Sequence, residues 1–147
     1  MSKGKYRILL WFVSVLGVLC FIYANSLSPA SASAEESRSF LDTLRLLFPA
    51  LTHHTVRKLA HFAEYALLGA HFAFAPYLFL HRMRGVFLAS LGFGLPAALL
   101  DEGIQAFVPG RGASLSDVLI DFSGYLLAFL FLFFLLLRFR KDARHAR

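Results

Sequence analysis

VLIDFSGYLLAFLFLFFLLL, residues 118–137, is the stretch that decides the fold class. Asp121 is its only charged residue. A helix crosses the hydrocarbon core of a bilayer with about 20 apolar residues, and this run has that length. Its apolar residues are continuous rather than alternating, so a barrel strand is excluded. Outward from it, three more runs qualify, over about 8–24, 59–80 and 86–108. The sequence therefore predicts an all-α membrane protein with four transmembrane helices, forming a single domain over residues 1–147. Composition agrees. Hydrophobic residues make up 58% of the chain and charged ones 16%, where soluble domains carry about a quarter charged. That balance excludes disorder and a soluble enzyme. The single Cys20 lies within the first apolar run, so no intrachain disulfide or cysteine zinc motif is available.

Charge placement predicts the topology. Lys3, Lys5 and Arg7 precede the first span, Arg82 and Arg84 separate the second and third, and Arg138, Arg140, Lys141, Arg144 and Arg147 follow the fourth. These are 10 of the 15 Lys and Arg, opposed only by Asp142. The other side and its helix ends hold Arg38, Arg45, Arg57, Lys58 and Arg111 with the remaining eight acids. The positive-inside rule then places both termini in the cytoplasm. The net charge of +6 reports topology and attraction to anionic lipid, and calls for no nucleic acid. Ala32-Ser33-Ala34 resembles a signal-peptide cleavage site, but it lies well beyond the apolar run, which disfavours cleavage.

The outer loop over 25–55 begins with Ser26, Ser28, Pro29, Ser31 and Ser33, a pattern expected of a flexible linker. Phe40, Leu41, Leu44, Leu47, Phe48 and Leu51 then recur at helical spacing. They predict a short extracytoplasmic amphipathic helix ended near Pro49, either flat on the membrane surface or packed over the bundle. Tyr6, Trp11 and Tyr23 fit interfacial anchors of the first span. Gly92, Gly94 and Pro96 are expected to kink the third span and allow close packing.

Charges inside spans are costly and mark functional sites by default. Here they gather at one depth. Arg57, His61 and Glu64 stand at i, i+4 and i+7 in the outer half of the second span. Asp101, Glu102 and Gln105 occupy the outer half of the third, where the adjacent acids diverge by roughly 100°, so only one is expected to point fully inward. Asp117 and Asp121 open the fourth, with Gly124 one turn on to admit a neighbouring helix. The tight turn Pro109-Gly110-Arg111-Gly112 hangs Arg111 over these acids. Ser114 to Asp117 fits a capping box, with Asp117 returning to the Ser114 N–H.

Three uses of this cluster remain open. It could be a structural polar network that fixes helix register in a non-enzymatic membrane subunit. It could be a pocket for an amphiphilic ligand of the outer leaflet. There, His61, Glu64, Asp101, Glu102 and Asp121 would supply acid/base chemistry, while Arg57, Gln105, Arg111 and Asp117 bind. Or it could hold a divalent metal through His61, Glu64, Asp101 and Asp121. His71 continues the Glu64 stripe as a satisfied core histidine or an extension of the pocket.

The motifs resemble those of the VanZ-like family. The resemblance rests on Arg57-Lys58-Leu59-Ala60-His61-Phe62-Ala63-Glu64-Tyr65, on Asp101-Glu102 with Gln105 and Phe107, on Pro109-Gly110-Arg111 with Ser116-Asp117, and on Asp121-Phe122-Ser123-Gly124. Tyr23-Ala24-Asn25-Ser26 is similar as well. The resemblance implies a small integral protein of the bacterial cytoplasmic (inner) membrane with a role at the cell envelope. The family's name-giving member is associated with resistance to teicoplanin, a lipoglycopeptide antibiotic. The implied partners are the lipid bilayer and an amphiphilic envelope lipid or a lipoglycopeptide.

Overall fold

The structure is a computed structural model that describes residues 3–46, 48, 51–79 and 82–145. Its elements are α1 (Lys3–Ser26), α2 (Ala30–Arg45), α3 (His53–Leu78), α4 (Met83–Gln105) and α5 (Leu115–His145). No strand occurs among the described residues. Leu47 and Pro49 of the expected outer helix, and Leu80 and His81 at the turn before α4, lie outside them.

Three segments are long and apolar enough to cross a membrane: Lys3–Leu27, Met83–Gln105 and Leu115–Lys141. Their apolar side chains face outward. Leu9, Phe12 and Leu16 on α1, Leu88 and Leu99 on α4, and Leu127, Phe131 and Phe134 on α5 are all exposed. Such contiguous apolar exposure suits lipid rather than water, and the chain is a membrane protein.

α3 is less apolar because it is the central helix. It packs against each of the other four, so part of its surface meets protein groups, and His61 and Glu64 are half-buried there. α1 and α4 run antiparallel to α3. Along α1 Trp11 meets His71 and Asn25 meets Glu64, and along α4 Phe93 meets Phe72 and Ala97 meets Tyr65. α5 runs parallel to α3, with Lys58 beside Asp117 and Tyr77 beside Phe133.

Glycines set the distance between α3 and α5. A Cβ on Gly69 would overlap the Tyr125 carbonyl, and one on Gly124 would overlap the Phe62 carbonyl. Backbone meets backbone at both points, as small residues permit between membrane helices. Gly94 likewise admits the Tyr125 ring, whereas a side chain at Gly92 would meet nothing within 4 Å. Close packing was expected of Gly92 and Gly94 and holds only for Gly94.

The half of the bundle away from the acids is aromatic. Tyr125, Phe129 and Phe133 stack along α5 with ring centroids 6.1 and 6.0 Å apart. Phe72 and Phe93 stack between α3 and α4 at 4.4 Å. The polar ends of these aromatics are satisfied by carbonyls on neighbouring helices. Tyr65 donates to Ala97, Tyr77 to Phe133, and Tyr125 to Ser90. Trp11, expected as an interfacial anchor, is tied to a neighbouring helix. It lies two turns inside α1, and its indole N–H donates to the His71 carbonyl at 2.8 Å. His71 is a satisfied histidine, its Nδ1 2.9 Å from the Leu67 carbonyl of its own helix.

The outer loop differs from expectation. The serine stretch is divided between two helices rather than forming a linker: Ser26 ends α1, Ser28 and Pro29 lie in the turn, and Ser31 and Ser33 open α2. Alternating alanine favours helix, and the Pro29 carbonyl accepts the Ser33 N–H, a place where proline's missing N–H costs nothing. The helix covers Ala30–Arg45 instead of 40–51. It stops before Pro49, which disfavours helical geometry at the residue preceding it. Its start touches the turn between α4 and α5, where the Ala30 N–H donates to the Pro109 carbonyl at 3.4 Å. With Leu41 buried, α2 packs on the bundle.

Candidate functional site

At one end of the bundle α3, α4 and α5 turn polar side chains toward a common centre. His61 Nδ1 lies 3.7 Å from Asp101 Oδ2 and 3.8 Å from Asp121 Oδ1. One donor atom from each of these residues falls within 4.8 Å of the other two. Asp101 and Asp121 are both 0% exposed. The separations are too long for direct hydrogen bonds.

Around this centre stands a partly satisfied shell. Glu64 accepts a hydrogen bond from Asn25 Nδ2 at 2.7 Å, which ties the end of α1 to α3. Gln105 Nε2 donates to Asp101 Oδ2 at 3.3 Å. The buried Ser26 hydroxyl, bonded to the Ile22 carbonyl, stands beside Asp101. Both adjacent acids of α4 are buried. They share the work by diverging. Asp101 enters the centre, and Glu102 reaches the turn above it, accepting the Ser114 N–H at 2.7 Å.

That bond replaces the expected capping box. The Ser114 carbonyl accepts the N–H groups of Asp117 and Val118, so Ser114 does open α5. Its own N–H is held by Glu102 rather than Asp117. Asp117 turns outward and pairs with Lys58 Nζ at 3.0 Å, with Ser116 also bonded to it. Asp117 therefore sits on the rim. Glu64 lies outside the close trio of His61, Asp101 and Asp121.

The two arginines do not close the network. Among the described residues, no carboxylate oxygen comes within 4.0 Å of Arg57 or Arg111. Burial and the neighbouring charge of Arg57 lower the Arg111 guanidinium from its ordinary value. Its Nε and Nη1 are buried without a hydrogen-bond partner. So are His61 Nδ1, Glu64 Oε2, Asp101 Oδ1, Glu102 Oε1 and both oxygens of Asp121. Buried polar atoms are paired in about nine cases of ten. Among the described residues, every buried side-chain polar atom lacking a partner belongs to this cluster.

Three contributors escaped the sequence reading. Asn25 and Ser26 stood where an apolar run gives way to serines, and so looked like the start of a linker. Lys58 sat in a quoted motif without a role. Their contacts are long-range in sequence, and periodicity along one helix cannot show which residue of another helix faces it.

The VanZ/LLP1 family matches residues 9–137 of the chain. The match takes in α2, α3 and α4 whole and most of α1 and α5, and the protein belongs to that family. No curated protein and no solved structure matches it.

Proposed function

We propose that this VanZ/LLP1 protein binds or modifies an amphiphilic cell-envelope ligand at the polar site, on the outer face of a bacterial cytoplasmic membrane. The observation that carries this is the set of unpartnered buried atoms at the centre. A network serving only to hold helices together would pair its members, because an unpaired polar group in a low dielectric is costly. Here acceptors on Glu64, Asp101 and Asp121 and donors on Arg111 remain open together. That mixture suits a headgroup bearing an anionic group beside hydroxyl or amine donors. Arg57 and Arg111 hold the anion, Gln105 and Asp117 border it, and Glu64 with Asp101 or Asp121 are the acid/base pair if a reaction follows. Bonds such as Asn25 to Glu64 and Glu102 to Ser114 favour a structural role for part of the cluster, as the shell that holds the site.

α3 is the fourth span in this proposal. It has 26 residues, and Leu59, Leu67 and Phe74 form an exposed apolar stripe along it. Four spans with the basic ends of α1 and α5 together put both termini in the cytoplasm and the site outward. α2 then covers the site's side of the bundle. Two tests apply. Single cysteines at Ser116 and Arg140 should be labelled by an impermeant maleimide from the outside and only after lysis, respectively. In a susceptible host the protein should lower teicoplanin sensitivity, and Glu64→Gln, expressed and folded equally, should not. Equal protection by both proteins would refute the role of the site.

A further inference from the structure

The centre of the site gathers more carboxylates than cationic side chains. Lys58 and Asp117 neutralise each other at the rim. Inside them, the carboxylates of Glu64, Asp101, Glu102 and Asp121 face the guanidinium groups of Arg57 and Arg111. With the acids ionised, two negative charges are left over, the charge of one divalent cation. Uncompensated charge is especially costly at this depth in a membrane bundle.

The geometry shows where a cation would sit. The Nδ1 of His61, an oxygen of Asp101 and an oxygen of Asp121 converge from three helices within 4.8 Å of one another. Asp121 is fully buried, and neither of its oxygens has a hydrogen-bond partner. Its Oδ1 points at His61 Nδ1, 3.8 Å away, and that nitrogen is unpartnered too. A fully buried carboxylate with both oxygens open beside an unpartnered imidazole nitrogen suits a cation held between them.

We propose that His61, Asp101 and Asp121 bind one divalent transition-metal ion, with zinc the ion best suited to them. One imidazole nitrogen with two carboxylates is a donor set of intermediate hardness, which zinc accepts. Zinc–ligand bonds of about 2.0–2.2 Å place neighbouring donors a little over 3 Å apart, so the three side chains close inward by less than 1 Å or so. Three protein ligands leave a fourth position open, as in sites where zinc polarises a bound oxygen. Gln105, which donates to Asp101 Oδ2, the same oxygen that faces His61, and Ser26 beside that carboxylate fix the position of the ligand and leave its Oδ1 open. Glu64, held by Asn25, is left outside the coordination shell and free to act on whatever the ion binds. The site rests on this chain's own residues and does not depend on which amphiphile the pocket takes.

The test uses the full-length protein purified in mild detergent, stripped with chelator and equilibrated with micromolar zinc. Elemental analysis should find one zinc per chain in the wild type and in Asp42→Asn, whose carboxylate is exposed on α2 and outside the cluster. Asp121→Asn and His61→Ala should each lose it by tenfold or more in affinity. Asp121→Asn is isosteric and removes a buried charge, so it is expected to remain monodisperse and helical. Should it fail to fold, zinc-edge X-ray absorption of the wild type decides instead, and one imidazole with oxygen ligands is the expected shell. A zinc-free wild type overturns the proposal, as does zinc retained by a folded Asp121→Asn or a shell lacking nitrogen. A wild type that holds a lipid but no zinc would overturn the metal site alone and leave the ligand pocket standing.

Discussion

Gly69→Ala compared with Gly92→Ala isolates the packing of α3 on α5. Both replace glycine by alanine inside a helix, and each gains about 1 kcal/mol of helix propensity. That gain cancels in the comparison. At Gly92 the new methyl meets nothing within 4 Å. At Gly69 it lands 2.8 Å from the Tyr125 carbonyl carbon and 2.9 Å from its Cα. Carbon atoms prefer about 3.5–4.0 Å, so the two helices must part by roughly 1 Å. The obstacle is backbone and cannot rotate away, which puts the cost toward the upper part of the usual overpacking range of about 1–3 kcal/mol. Gly92→Ala should therefore be neutral or stabilising, and Gly69→Ala should lie about 2–3 kcal/mol below it. For a chain of this size that corresponds to a gap of roughly 5–10 °C in melting temperature. Circular dichroism melts of the two variants in the same mild detergent measure it. Equal melting temperatures would refute the backbone contact, as would a more stable Gly69→Ala.

Three further substitutions probe the shell of the site. Asn25→Leu removes the donor to Glu64 and should destabilise the protein by about 1–3 kcal/mol in a denaturant titration; a neutral result would show that α1 is not tied to α3 there. Glu102→Ala leaves the Ser114 N–H without its acceptor and should cost about 1–3 kcal/mol, whereas Glu102→Gln, which keeps a carbonyl oxygen, should recover most of it. Lys58→Met breaks an ion pair in which both partners are partly exposed and should cost less than about 1 kcal/mol. A larger loss would mean that Asp117 belongs to the buried network after all.

The apolar runs were legible because a membrane helix must be apolar over its whole length, a signal that survives without any knowledge of packing. Three of the runs are helices suited to crossing a membrane. The fourth, α3, carries its polarity because it lies at the centre, and the same polarity marked His61 and Glu64 for notice. Depth along each helix was legible too. Simple residue counting placed Asp101 and Asp121 level with His61, and their convergence follows. What sequence did not show was direction around the helix and across helices. Asp101 and Glu102 are both buried because a turn, rather than another helix, receives the second carboxylate. Asp117 fitted a local capping pattern, yet a lysine 59 positions earlier holds it. Alanine between the serines of α2 outweighed the turn-forming character of the serines, and the helix ends at Arg45, ahead of the expected boundary.

Native mass spectrometry of the wild type beside Glu64→Gln, in mild detergent, tests the central claim most directly. The substitution keeps the shape of the side chain and an oxygen for Asn25, so the fold should survive. The wild type is expected to carry a discrete bound amphiphile that Glu64→Gln lacks while remaining equally stable. An empty wild type, or the same mass retained by both proteins, would contradict a functional pocket and reduce the cluster to helix packing.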